Sequence, residues 1–93
     1  MRYKIAKTTR FKTAYKRIKG LKGFKKTVFV DVIEVLASGN KLDKKFKDHK
    51  LTGVLKDFRE CHLAPDILLI YQIDGEVLVL TLVNVGNHSQ LFK

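Results

Sequence analysis

The fold of this chain is decided by residues 66–85, DILLIYQIDGEVLVLTLVNV. The apolar residues of this stretch form two blocks of strand length. The dipeptide Asp74-Gly75 between them is a strong signal for a tight hairpin turn. The stretch therefore predicts two antiparallel strands, Asp66–Ile73 and Glu76–Val85, joined by a two-residue turn.

The segments before this hairpin predict one more strand in the meander and two helices. Apolar residues at helical spacing, with lysines and arginines on the other side, indicate helices in the first half of the chain. Pro65 separates the hairpin from the strand before it. The predicted elements are a short strand around Tyr3 and Ile5, a helix from Thr8 or Thr9 to Ile18, a helix over Phe24–Ala37, a loop over Lys41–Gly53 and a strand over Val54–His62. The sequence thus predicts an α+β fold, with a small antiparallel sheet packed against two N-terminal helices.

Composition indicates one small basic domain over residues 1–93. Nineteen Lys and Arg against nine Asp and Glu give a net charge of +10, and such a field attracts polyanions such as nucleic acid or an acidic protein. The single cysteine, Cys61, excludes an intramolecular disulfide and is typical of a reducing compartment. The longest apolar stretch, Ile67–Tyr71, is far shorter than a membrane span. We therefore expect a cytoplasmic protein.

The predicted meander brings polar residues together at one end of the sheet. His62 ends the first strand of the meander, Asp66 begins the second, and His88 follows the third. If Ile73 pairs with Glu76, Asp66 faces Val83, five residues before His88. Histidine takes and gives protons near neutral pH. Such a cluster on a basic protein predicts an acid–base site for RNA cleavage, and His49 lies in the loop that leads into it.

Three segments, in this order, closely resemble the YafQ branch of the RelE superfamily. The family pattern is roughly D-H-x-L-x-G, then R-[DE]-x-H-x-x-P-D-[WVI]-[LI]-[LI]-x-Y, then G-[ST]-H-[SA]-x-L-F. The corresponding segments are DHKLTG at residues 48–53, FRECHLAPDILLIY at residues 58–71 and GNHSQLF at residues 86–92, the last departing from the pattern at Asn87. With the size, charge and leading helices, the resemblance covers nearly the whole chain.

The resemblance implies the toxin of a type II toxin–antitoxin pair, which binds ribosomes and cleaves messenger RNA without a metal or other cofactor. An acidic antitoxin is the implied partner. The catalytic residues that it implies are His49, His62, Asp66 and His88, and Phe92 is the implied substrate-placing residue. We further expect Arg59 to help two of the histidines bind the scissile phosphate.

Three other readings of the sequence remain to be compared with this one. A gyrase-inhibiting toxin of the ParE type shares the fold without the nuclease chemistry, and the retained histidines argue against it. A non-enzymatic nucleic-acid-binding module would use only the basic surface. A zinc site built from Cys61, His62, Asp66 and His88 is awkward, because adjacent residues of a strand point to opposite faces of the sheet.

Overall fold

The structure is a computed structural model that describes residues 2–92. Two helices of ten and twelve residues come before most of the sheet, and none of the described helices is long and apolar enough to cross a membrane. The elements are β1 Lys4–Lys7, α1 Thr9–Ile18, α2 Lys26–Ala37, β2 His49–Lys50, β3 Arg59–Ala64, β4 Ile67–Asp74, β5 Val79–Gly86 and α3 His88–Leu91, with 3-10 turns at Lys44–Phe46 and Gly53–Leu55.

The five strands form one mixed sheet in the order β1-β5-β4-β3-β2. The central strand β4 is antiparallel to both β3 and β5, as the sequence predicts. The first strand, β1, instead pairs in parallel with β5. This pairing requires a long crossover, which α1, α2 and the strands that follow provide. The predicted α+β fold class is confirmed.

The core lies between the two long helices and one face of the sheet, which we call the helix face. Side chains alternate across a strand, so every second residue of β3, β4 and β5 contributes to this core. The buried cluster contains Phe11, Ala14 and Ile18 from α1, Val32, Ile33, Leu36 and Ala37 from α2, and Cys61, Ile67, Leu69, Tyr71, Leu80, Leu82 and Val85 from the sheet. The residues between these strand positions point to the other face.

We call that other face the histidine face. The strand register aligns Glu60 with Ile70 and His62 with Leu68. It also aligns Ile70 with Asn84 and Leu68 with Gly86. Residues that pair directly across strands share a face. The histidine face is therefore defined by Glu60, His62, Leu68, Ile70, Asn84 and Gly86.

Helix α1 is anchored to β5 by a single threonine. The Thr8 side chain accepts a hydrogen bond from the backbone N–H of Phe11 at 3.0 Å, which is the ordinary N-cap interaction. Its hydroxyl also donates to the carbonyl of Val83 at 2.7 Å. Thr8 therefore ties the start of α1 to Val83 of β5, while Phe11, Ala14 and Ile18 pack the rest of the helix into the core.

Three predicted boundaries before and within the hairpin are wrong. The strand predicted from Val54 begins only at Arg59, because Gly53, at φ +67°, opens a 3-10 turn. The two-residue strand β2 lies inside the predicted loop. The hairpin turn has four residues rather than two, since Asp74 pairs with Val79.

The observed register brings Asp66 and His88 to the same level. An extra residue, Val83, interrupts the pairing between Tyr71–Leu82 and Ile70–Asn84. Together with the longer turn, this bulge pairs Leu68 with Gly86. Asp66 and His88 each lie two residues beyond that pair. The predicted register, with Asp66 opposite Val83, was wrong, and the correction moves the two site residues closer in register.

Candidate active site

A buried carboxylate lies between two of the predicted site histidines. Oε1 of Glu60 is 3.5 Å from Nε2 of His49 and 3.8 Å from Nε2 of His62. The Glu60 side chain is 7% exposed, against 52% for His49 and 26% for His62. A buried carboxylate is costly unless cationic groups accompany it. The geometry thus places an imidazole nitrogen of each histidine beside the same buried carboxylate oxygen.

Strand pairing produces this cluster. His49 pairs directly with Glu60 across β2 and β3, and His62 follows Glu60 by two residues on the same strand and face. Nδ1 of His49 lies 2.8 Å from the carbonyl oxygen of Lys47. Because a carbonyl only accepts, Nδ1 is the donor in this bond, which leaves Nε2 directed at Glu60.

Arg59 does not join the histidines. As the neighbour of Glu60 in β3, its side chain points to the helix face, where Nη2 donates to Oδ2 of Asp48 at 2.9 Å. The hydroxyl of buried Tyr71 donates to the other oxygen of Asp48. The hydrogen bond to Asp48 raises the pKa of Arg59. Burial is the larger cause that raises the pKa of Tyr71, and the hydrogen bond to Asp48 is the second cause. We expected Arg59 to help the histidines bind phosphate. This expectation is corrected, because Arg59 instead holds Asp48, the residue before His49.

His88 is the first residue of α3, a short helix that the sequence analysis did not predict. The Asn87 side chain accepts from the backbone N–H of Gln90 at 2.9 Å, and the Gln90 side chain accepts from the N–H of Asn87 at 2.8 Å. This reciprocal pair is a capping box. It means that local hydrogen bonds hold the backbone of the short helix in which His88 lies.

Gly86 makes the close approach of α3 to the sheet possible. A Cβ atom at this position would lie 2.7 Å from Oε1 and 3.3 Å from Cβ of Gln90. Any larger residue therefore displaces the side chain that closes the capping box. The glycine is needed for space, and its φ lies outside the left-handed region where positive-φ glycines are found.

The aromatic residue at the end of the described chain lies beside this histidine. The rings of His88 and Phe92 have centroids 5.0 Å apart, with an angle of 44° between their planes. Asp66 lies in the exposed turn between β3 and β4, at the end of the sheet where Leu68 pairs with Gly86. The structure therefore brings His49 and His62 together around Glu60, and His88 together with Phe92. It places Asp66 at the end of the sheet that leads to His88.

The zinc alternative is wrong for the reason that strand alternation suggests. Cys61 is fully buried on the helix face, away from His62, and burial raises the pKa of its thiol to about 12. Within residues 2–92, no group of three or more His, Cys, Asp or Glu side chains is arranged to hold a metal ion.

Two residues of the site region escaped the sequence analysis. Glu60 stands two residues before His62, so the same-face spacing on a strand was a usable signal for it. Asp48 directly precedes His49, but only the tertiary contact with Arg59 and Tyr71 shows its anchoring role. The pattern Asn87-x-x-Gln90 was the signal for α3, since it matches the spacing of a capping box.

This fold is that of small bacterial toxins. A solved structure of a metal-bound toxin from Helicobacter pylori matches with a TM-score of 0.88 and 43% identity, covering 97% of this chain and 99% of that one. The toxin of the Escherichia coli DinJ–YafQ toxin–antitoxin complex matches over 100% of both chains with a TM-score of 0.86. At 23% identity, the second likeness shows the fold alone.

The family model of the bacterial YafQ toxin of type II toxin–antitoxin systems matches residues 3–93. This chain therefore belongs to the YafQ toxin family, which confirms the resemblance inferred from its three motifs. The mRNA interferase toxin YafQ of Escherichia coli strain K12 is 38% identical over 47 residues. That match spans 50% of this chain and 49% of the Escherichia coli protein.

Proposed function

We propose that this chain is an endoribonuclease that cleaves messenger RNA in association with the ribosome, in the cytoplasm. The observation that carries the proposal is the pair of imidazoles, His49 and His62, on either side of buried Glu60. Asp66 and His88 follow at the end of the same sheet. The Escherichia coli relative named as an mRNA interferase supports the same activity.

In the proposed reaction, the 2′-oxygen of one nucleotide attacks the adjacent phosphorus while the bond from phosphorus to the 5′-oxygen breaks. A base takes the 2′-hydroxyl proton and an acid protonates the leaving 5′-oxygen. The products are a 2′,3′-cyclic phosphate and a 5′-hydroxyl. Cationic groups stabilise the charge that collects on the non-bridging oxygens in the transition state.

The protein residues divide these tasks between the two ends of the site. His49 and His62, as imidazolium ions oriented by Glu60, bind the scissile phosphate. His88 and Asp66 are the proton-transfer residues, with His88 as the acid or base near the leaving oxygen. Phe92 stacks on a nucleobase, an interaction that contributes about 1–3 kcal/mol. Acid, base and cations all come from the chain, so the proposed mechanism is metal-independent.

The proposed partner of the free toxin is an acidic antitoxin protein. The net charge of +10 favours such a partner electrostatically. Membership of a toxin–antitoxin family supports it as well, as does the complex in which the Escherichia coli YafQ is found with DinJ. In this proposal, the antitoxin restrains cleavage until it is lost.

Cell-free translation of a reporter message, with RNA ends mapped by primer extension, tests the activity. We expect new 5′ ends inside translated codons, unchanged when the purified protein is first treated with EDTA and then freed of it, and absent with the His88→Ala variant. Cleavage that disappears after this treatment and returns with an added metal ion would overturn the metal-independent mechanism. An intact message would overturn the ribonuclease proposal, and a DNA supercoiling assay would then test for a gyrase-inhibiting toxin.

A further inference from the structure

We propose that the groove between α1 and α3 binds the phosphodiester backbone of the RNA strand beside the cleaved bond. This inference rests on the proposed ribonuclease function and deepens it, because it assigns a path to the substrate. The groove has a volume of about 350 Å³. Its lining residues are Arg10, Thr13, Ala14, Arg17, Asn84, Val85 and Gln90.

Two arginines give the groove its charge. Arg10, Thr13 and Arg17 stand at helical spacing on one side of α1, and seven residues of rise separate the two arginine Cα atoms by about 10 Å along the axis. Both arginines are exposed. Neither guanidinium is within ion-pair distance of a carboxylate in the described part of the chain. Their charges are therefore available to a ligand.

The opposite wall of the groove connects it to the histidine face. Asn84 lies on that face, in the row that contains Ile70 and Glu60, and it also lines the groove. Gln90 belongs to α3, and its side chain is fixed by the capping box that it forms with Asn87, the residue before His88. The groove therefore shares Asn84 with the histidine face and Gln90 with the helix that contains His88.

The character of the lining favours RNA over an acidic protein. Its exposed members are two arginines, a threonine and a glutamine, and the lining resolved between residues 2 and 92 includes no Asp, Glu or aromatic residue. The hot spots of protein interfaces are mainly Trp, Tyr and Arg in desolvated pockets, whereas the two arginines of this groove are exposed and have no aromatic residue in the lining beside them. Arginine forks and small polar side chains are instead the usual partners of phosphate oxygens.

Helix α1 offers a matched control for the test. Arg10→Ala/Arg17→Ala removes two positive charges from the groove, and Lys12→Ala/Lys16→Ala removes two from exposed positions of the same helix that do not line it. The probe is a fluorescein-labelled RNA twelve-mer with 2′-O-methyl groups throughout, which has no 2′-hydroxyl to attack the phosphate. Its binding to each purified protein is measured by anisotropy over a range of salt concentrations.

We expect the arginine pair to weaken binding of the probe about tenfold, with less than a twofold change for the lysine pair. The slope of log affinity against log salt becomes shallower by about 1.4 for the arginine pair, because each contact to a single strand contributes about 0.7. Equal effects of the two pairs would overturn the inference, as would no binding by the native protein. An equal loss of affinity for a twelve-residue oligoglutamate would also overturn it.

The same proteins separate this inference from the proposed function. The reporter message in the cell-free translation system reports cleavage by the same proteins. If the native protein cleaves RNA and the two pairs behave alike, only the groove assignment fails. If the arginine pair alone loses binding and no protein cleaves, the groove assignment stands and the ribonuclease proposal fails. Arg10→Gln/Arg17→Gln repeats the test if the alanine pair lowers the melting temperature.

Discussion

The two faces of the sheet use neighbouring charged residues for different purposes. Arg59 and Glu60 are adjacent in β3, yet Arg59 points to the helix face and holds Asp48. Glu60 points to the histidine face and lies between two imidazoles. One charge anchors a loop, and the other organises a candidate active site. Alternation along a single strand is enough to separate a stabilising contact from a site contact.

Substitutions on the two faces should affect different properties of the protein. On the helix face, apolar side chains and the Asp48 network hold the strands to α1 and α2, so changes there should lower stability. On the histidine face, polar groups are brought together at an energetic cost, so changes there should lower activity first. The experiments below test this separation.

The largest expected effect is that of His88→Ala on cleavage. Loss of a proton-transfer group should lower the rate by about 10²–10⁴-fold. His88 is exposed, so the melting temperature should stay close to that of the native protein. Reporter RNA cleavage and thermal melting of the same preparation check both points. Native rates in this variant would remove His88 from the mechanism.

A smaller loss of activity is expected for Glu60→Gln, which keeps the volume of the side chain and removes its charge. Misplacement of His49 and His62 by even 1 Å should slow cleavage on the order of 10–100-fold. The pH profile of cleavage should also change shape, which a purely structural role would not produce. A drop in stability with an unchanged profile would assign Glu60 to the core.

On the helix face the order of effects should reverse. Tyr71→Phe removes the hydroxyl that donates to Asp48 and should lower the free energy of unfolding by about 1–2 kcal/mol. Cleavage should stay within about twofold, since Arg59 still holds Asp48. Urea denaturation measures the loss. Tyr15→Phe is the control, because its hydroxyl donates no hydrogen bond to any of residues 2–92.

The smallest effect, taken over one pH unit, is that of the buried thiol of the helix face at alkaline pH. Burial raises the pKa of Cys61 to about 12, whereas an unfolded thiol ionises near about 8.5. Between these values the unfolded state releases a proton that the folded state keeps. The free energy of unfolding should therefore fall with rising pH, by about 1 kcal/mol per unit.

The control for this effect is Cys61→Ala, which should show a shallower fall than the native protein over the same range. Urea denaturation at a series of alkaline pH values measures both slopes. Parallel pH dependences for the two proteins would show that the thiol is not the group responsible.

Long apolar elements of the fold were predictable because their period is repeated many times. Strand β4 is found at Ile67–Asp74 where Asp66–Ile73 was predicted, and α2 ends at Ala37 as predicted. The short elements were not predictable in this way. The two residues of β2 and the four of α3 are too few to show a hydrophobic period. Strand β2 is defined only by its pairing with β3.

The candidate site was also predictable only in part. The order of the strands alone was enough to predict that His62, Asp66 and His88 lie at one end of the sheet. The bulge at Val83 was not visible in the sequence, since a bulge depends on how two strands fit together. Strand alternation alone places Arg59 and His62, three positions apart, on opposite faces. The partner of Arg59 was not visible in the sequence, because the contact with Asp48 joins β3 to the residue before β2.

The contact between Gly86 and Gln90 has a genetic consequence. If the free toxin arrests growth, cells that survive its expression should include many with a changed histidine. They should also include cells in which Gly86, a residue with no reactive atom, has become alanine or serine. Such proteins should accumulate to normal levels and still bind the antitoxin. Sequencing a collection of survivors would therefore reveal the packing of α3 without any structural measurement.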